Sequence, residues 1–183
     1  MKLLIISGAE ATCKSDLGRR LAKKLKCAHR SKDAIKEAMY DKQNHSTWDF
    51  QWYEQRAKDV FFRDIESFIV GNTDAIIESN FIGSDKKRLL RLLAADTEVV
   101  EVHCFTKGFI SFRRAVHRNE SGTRHRGHHD RRWYPKIFLQ SLFHMVGISV
   151  GAHRPIAINN NVLMLDTSSY PDIDFDRVVA FIQ

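Results

Sequence analysis

The chain has 183 residues, 43% of them hydrophobic and 28% charged, with a formal net charge of +7. That length suits one domain with a full core, and we expect residues 1–183 to fold as a unit. The longest apolar runs, four or five residues, are too short to cross a bilayer. Cys13, Cys27 and Cys104 show no C-x-x-C spacing, which points to reduced thiols in a cytoplasmic protein and away from a disulfide or zinc framework.

The run Leu3-Leu4-Ile5-Ile6 reads as a buried strand, too short for a signal-peptide apolar region. It leads into Gly8-Ala9-Glu10-Ala11-Thr12-Cys13-Lys14-Ser15, one residue away from the phosphate-binding pattern G-x-x-x-x-G-K-[ST]. Leu17, Leu21 and Leu25 then follow at helical spacing. A nest of backbone N–H groups at a helix N-terminus binds an anion. Lys14 would reach the β- and γ-phosphates of ATP, and the Ser15 hydroxyl would ligate Mg²⁺. The departure from the pattern is Cys13, which stands where the loop has its second glycine. If that position needs a positive φ, its Cβ costs about 1–2 kcal/mol. A thiol beside Lys14 at a helix N-terminus is also expected to be unusually reactive.

A short strand is expected near 27–30, then a helix from about 32 to 40, a polar loop over 41–47 and a long helix from about 48 to 70. Asp33 and Lys36 lie one turn apart on the first of these helices. Asp33 could accept a substrate hydroxyl proton while Lys36 steadies an anion. Equally, Asp33 could be an ordinary first-turn acid that complements the helix dipole. Trp48, Phe50, Trp52, Tyr53, Phe61 and Phe62 read mainly as core or pocket cover. Gly71-Asn72 would end the long helix. Residues 74–78 form the next strand, closed by Glu78, a carboxylate placed to hold Mg²⁺ or its waters.

Ser84 or Asp85 would cap a helix with Leu89, Leu90, Leu92 and Leu93 inward. A β-branched strand follows over 97–105, then a helix from about 107 to 117. Residues 113–132 hold seven arginines against Glu120 and Asp130. A general nucleic-acid surface spreads its basic residues along a face. One dense segment suits a local site for concentrated negative charge such as a triphosphate. Its polar part, about 118–132, reads as a lid that brings Arg118 and Arg124 to a transferring phosphoryl group. His125, His128 and His129 with Asp130 could form a metal site, although no cysteine or fourth ligand sits at a convincing spacing. A helix near 135–145, irregular residues 147–161, a strand over 162–166 and a helix over 175–182 complete the chain. Alternating strands and helices imply an α/β fold with a mainly parallel sheet, helices on both faces and ligands beyond the carboxyl ends of the strands.

With these residues in hand, the chain resembles the small P-loop kinases, an AAA-type ATP-binding family that includes the zeta-toxin, chloramphenicol phosphotransferase and polynucleotide kinase types. The resemblance rests on Ser7-Gly8 through Lys14-Ser15, Ser31 to Glu37, Ile76 to Phe81, Arg118 with Arg124-His125-x-Gly127-His128, and Leu163 to Thr167. It implies a three-layer α/β/α fold with a five-stranded sheet. It also implies that the acid matching Asp33 engages the acceptor hydroxyl and that Arg118 and Arg124 contact phosphates. The expected activity is an ATP- and Mg²⁺-dependent phosphotransfer to a hydroxyl of a small molecule. Two alternatives stay open: a kinase for a 5′-hydroxyl of nucleic acid, and an ATP-binding module with little turnover because of Cys13.

Overall fold

Strand β1 (Lys2–Gly8) is buried along nearly its whole length, because both of its faces are covered. Alternation sends Leu4 and Ile6 to one face and Leu3 and Ile5 to the other. On the first face they pack with Leu17 and Leu21 of helix α1 (Lys14–Leu25) and with Val178, Val179 and Ile182 of the closing helix (Phe175–Ile182). On the second face they meet Phe61, Phe62 and Ile65 of the long helix (Phe50–Val70) and Leu89 of the following one (Ser84–Leu92). Each such side chain stabilises the fold by about 1.5–3 kcal/mol when fully buried. The computed structural model describes residues 1–42, 49–93, 97–107, 109–128, 134–145 and 153–183.

In chain order the remaining elements are β2 (Ala28–Ser31), α2 (Lys32–Asp41), α3 (Phe50–Val70), β3 (Ala75–Glu78), α4 (Ser84–Leu92), β4 (Glu98–Phe105), α5 (Ile110–Glu120), α6 (Tyr134–Met145), β5 (Val162–Asp166) and α7 (Phe175–Ile182). The sheet runs β2-β3-β1-β4-β5 and every pairing is parallel. From β1 the chain moves outward to β2 on one side, while β4 lies on the other. The carboxyl end of β1 is therefore the switch point where such sheets bind ligands. The register Ile6↔Glu78 brings the end of β3 to that same place. Among the described residues no helix is long and apolar enough to cross a membrane.

Several local expectations change. Helix α5 extends to Glu120, so Arg118 is helical and the described loop after it covers 121–128. Gly71 has an ordinary φ of −78°, and Asn72 takes the left-handed turn at φ +48°. Gly83 is the N-cap of α4 and no side chain caps that helix, so neither Ser84 nor Asp85 does so. Helical spacing from Leu89 turns Asp85 inward, where it meets Lys58 Nζ at 3.3 Å, and leaves Leu90 exposed. Trp48, His129 and Asp130 lie outside the described residues, as do Arg131 and Arg132.

One buried polar cluster steadies the strand ends. Glu101 on β4 accepts from Ser7 Oγ at 2.5 Å and from the backbone N–H groups of Ile156 and Ala157, each at 2.8 Å. It thereby ties the segment before β5 to the root of the loop that follows β1.

Candidate functional site

The loop after β1 gets its shape from backbone conformation. Gly8 has φ +138°, and a Cβ there would stand 2.2 Å from the Cys104 carbonyl oxygen. Ala11 and Cys13 take left-handed φ values of 58° and 60°. The glycine position of the pattern thus does require a positive φ, and each of these two L-residues holds it at about 1–2 kcal/mol of strain. Thr12 Oγ1 donates to the Ala9 carbonyl at 2.9 Å, and Lys14 Nζ donates to the same oxygen at 2.5 Å. Thr167 Oγ1 donates to the Thr12 carbonyl at 3.2 Å and secures the loop to the end of β5.

The reactivity expected of Cys13 is not what its surroundings produce. Burial raises its pKa and outweighs the lowering by Arg114, Arg118 and Lys14, with Asp16 adding to the rise. Burial also raises Cys27, with Asp74 adding to it, and pushes Cys104 up to about 12. The thiolate is therefore not selectively favoured at Cys13. Sequence reading missed Arg114 beside it. This guanidinium donates to the Thr167 carbonyl at 2.9 Å and the Ser168 carbonyl at 2.8 Å, with Cys13 Sγ at 3.5 Å.

Ser15, in the first turn of α1, donates its hydroxyl to Glu78 Oε1 at 2.8 Å. Glu78 is buried, and its Oε2 has no hydrogen-bond partner among the described residues; His29 Nε2 lies 3.6 Å from it. A hydroxyl beside a carboxylate with a bare buried oxygen is a hard donor pair of the kind Mg²⁺ uses together with phosphate oxygens. The residues present fit that ion.

Across the cleft stands α2, whose N-cap Ser31 accepts from Ala34 N at 3.5 Å. Asp33 in its first turn remains ionised. Burial alone would raise its pKa, but His128, Lys32, Lys36 and Arg124 together hold it far below the usual carboxylate range. Lys36, expected to face a substrate anion, instead donates to Glu54 Oε2 of α3 at 2.9 Å and lies over the Phe50 ring. Lys32 reaches the other Glu54 oxygen at 2.7 Å. Against its own burial, this lysine pair lowers the Glu54 pKa to about 2. Lys36 therefore acts on the cleft through its field at Asp33 and does not line it.

The loop after α5 closes the remaining side. Arg124 Nη2 sits 3.8 Å from Asp33 Oδ2, His125 Nε2 3.1 Å from Asp41 Oδ1, and His128 Nε2 2.9 Å from Glu37 Oε1. His125 and His128 thus both face carboxylates of α2. Lys14, Ser15, Asp33, Glu78, Arg118 and Arg124 converge on one cleft of about 220 Å³, bordered also by Glu10 and Asn80, which bond to each other at 3.0 Å. Gly8 and Ala9 shape the loop from behind, whereas Glu10, Ala11, Thr12 and Cys13 border the space itself.

Comparison with known proteins identifies the fold. A candidate kinase from Chloroflexus aurantiacus superposes with a TM-score of 0.82 at 27% identity, over 99% of this chain and 96% of that one. A sugar kinase from Janibacter has a TM-score of 0.57 at 11% identity, over 99% and 93%. The APS kinase CysC of Mycobacterium tuberculosis, solved with AMPPNP and APS, has 0.55 at 16%, over 99% and 96%; these last two share the fold. Among curated proteins no sequence matches this chain. The AAA domain family model matches residues 3–133, so the chain belongs to that family and has the fold of the small P-loop kinases.

Proposed function

We propose that this protein is an ATP- and Mg²⁺-dependent phosphotransferase acting on a hydroxyl of a small molecule. The observation that carries this reading is the convergence of an ammonium, a hydroxyl–carboxylate pair, a separate ionised acid and two arginines on one cleft beyond β1 and β3. Lys14 would exchange the Ala9 carbonyl for the β- and γ-phosphate oxygens. Ser15 and Glu78 would hold Mg²⁺, which when bound would neutralise phosphate charge. Asp33 would accept a hydrogen bond from the acceptor hydroxyl, orient it toward phosphorus and take its proton as the new O–P bond forms. An acid of such low pKa is a weak base, so its proton is taken late; the loose transition state of phosphoryl transfer asks mainly for position and charge. Arg124 would leave Asp33 for the departing phosphoryl oxygens, and Arg118 would flank them.

The test is ADP release from ATP over a panel of sugars, antibiotics, nucleosides and 5′-hydroxyl oligonucleotides. Transfer to one small-molecule class supports the reading. Activity only on oligonucleotides, with affinity that falls steeply with salt, replaces it with a nucleic-acid kinase. Tight ATP binding without turnover on any acceptor replaces it with a nucleotide-binding module. The left-handed strain at Cys13 is the observation that favours that last alternative.

A further inference from the structure

Helix α2 carries Asp33, Glu37 and Asp41 at four-residue spacing, so the three carboxylates share one face. Locally this is unfavourable. Like charges four residues apart destabilise a helix by about 0.2–0.5 kcal/mol per pair. Glu37 and Asp41 also lie toward the helix C-terminus, where the dipole disfavours anions, and the last turn holds no basic residue. A stripe of this kind makes sense only with a tertiary partner, and the loop over 121–128 supplies Arg124, His125 and His128, one to each acid. Gly127 lets the loop backbone lie against α2: a Cβ there would be 3.0 Å from Tyr40 Cβ. The Gly127 N–H donates to His125 Nδ1 at 3.1 Å, which leaves Nε2 as the protonated nitrogen that faces Asp41.

We infer that Glu37 and His128 are positioning residues: theirs is the buried rung of a latch that seats the lid on α2 and sets Arg124 over the phosphate cleft. The His128 and Glu37 side chains are 2% and 33% exposed, against 28% and 67% for His125 and Asp41 of the outer rung. His128 is faced by Asp33, Lys36 and Glu37 from α2 and by Arg124 from its own loop. Burial lowers its pKa, which Glu37 and Asp33 oppose and Arg124 and Lys36 reinforce. The docked lid therefore favours neutral His128. This contribution is whole above the ordinary histidine pKa of about 6.5 and is lost as pH falls through the lowered value.

The assignment of Arg124 to phosphate rests on the proposed function, but the latch is testable without turnover. Hydrogen–deuterium exchange of residues 121–128 is followed in the full chain at about pH 7.5 and about pH 5.5, on either side of the histidine range, as protection factors with the intrinsic pH dependence of amide exchange divided out. Glu37→Ala should speed exchange about tenfold at the higher pH. Glu37→Gln should restore protection, because its amide oxygen still accepts from His128. His128→Gln should flatten the pH dependence while keeping a donor toward Glu37. Where the chain turns over, Glu37→Ala should lower kcat and leave KM for ATP within about twofold. Unchanged exchange in Glu37→Ala, or pH dependence that persists in His128→Gln, overturns the latch. Failure of the acceptor panel with these exchange results intact would overturn the kinase reading alone.

Discussion

Around the phosphate loop, position is fixed by backbone: a glycine where no Cβ fits, two residues in left-handed conformation, and carbonyls that hold Thr12 and Lys14. Across the cleft, α2 and the lid are joined by side chains: Asp33 with Arg124 as an ion pair, Glu37 with His128 and Asp41 with His125 through imidazole–carboxylate contacts. The first arrangement is stiff and indifferent to ionic conditions. The second can come apart and re-form, as a lid must if it admits substrates and then excludes water. On the proposed function, the difference would separate a permanent anion site from a wall assembled on demand.

Substitutions on the charged wall should show the larger kinetic effects. Arg124→Ala is expected to lower kcat about 10³-fold, the low end for an arginine that stabilises phosphoryl transfer, with ATP affinity little changed. Arg118→Ala should follow the same pattern, measured by steady-state ADP release. An equal loss of ATP affinity would move these arginines to ground-state binding and weaken the contrast with the loop.

Lys14→Ala tests the stiff side. Turnover should fall about 10²-fold or more, the scale of losing one preorganised charge-stabilising donor, and nucleotide affinity should fall with it. Titration calorimetry with ATP and Mg²⁺ separates the two losses. Asp33→Asn should reduce kcat about 10²-fold, the low end for acid–base assistance, while ATP binding persists. If ATP affinity is lost instead, Asp33 belongs to the metal site.

Cys13→Gly sharpens the comparison through stability. Relief of left-handed strain should stabilise the fold by about 1–2 kcal/mol, a rise in Tm of a few degrees for a chain of this size. A lower Tm would mean that the contact of Cys13 Sγ with Arg114 outweighs the strain. The smallest effect is the response to salt. At about 1 M salt the Debye length shrinks to about 3 Å, so the partly exposed Arg124–Asp33 ion pair should weaken and lid exchange should rise. Protection of the amides of residues 8–15 should stay the same.

What could be read from the chain alone was whatever acts through neighbouring residues. The loop from Gly8 to Ser15 is legible because eight consecutive residues carry its chemistry, mostly through their backbone. The middle of the sheet is legible because β1 and β3, covered on both faces, carry the apolar runs Leu3 to Ile6 and Ala75 to Ile77. Glu78 and Asp33 could be proposed because each sits at the end or start of such an element. Tertiary structure alone decided the partners. Lys36 turned to Glu54 rather than to the cleft because α3 packs a carboxylate against α2. Arg114, one of seven arginines in its segment, is distinguished only by two carbonyls beyond β5. The acids of α2 show their spacing in the sequence, but not that Arg124, His125 and His128 would come back across the cleft to meet them. The Cys13 thiol looked activated from its charged neighbours, yet burial governs it. Charge pairing and desolvation depend on distance in space, and a sequence records distance only along the chain.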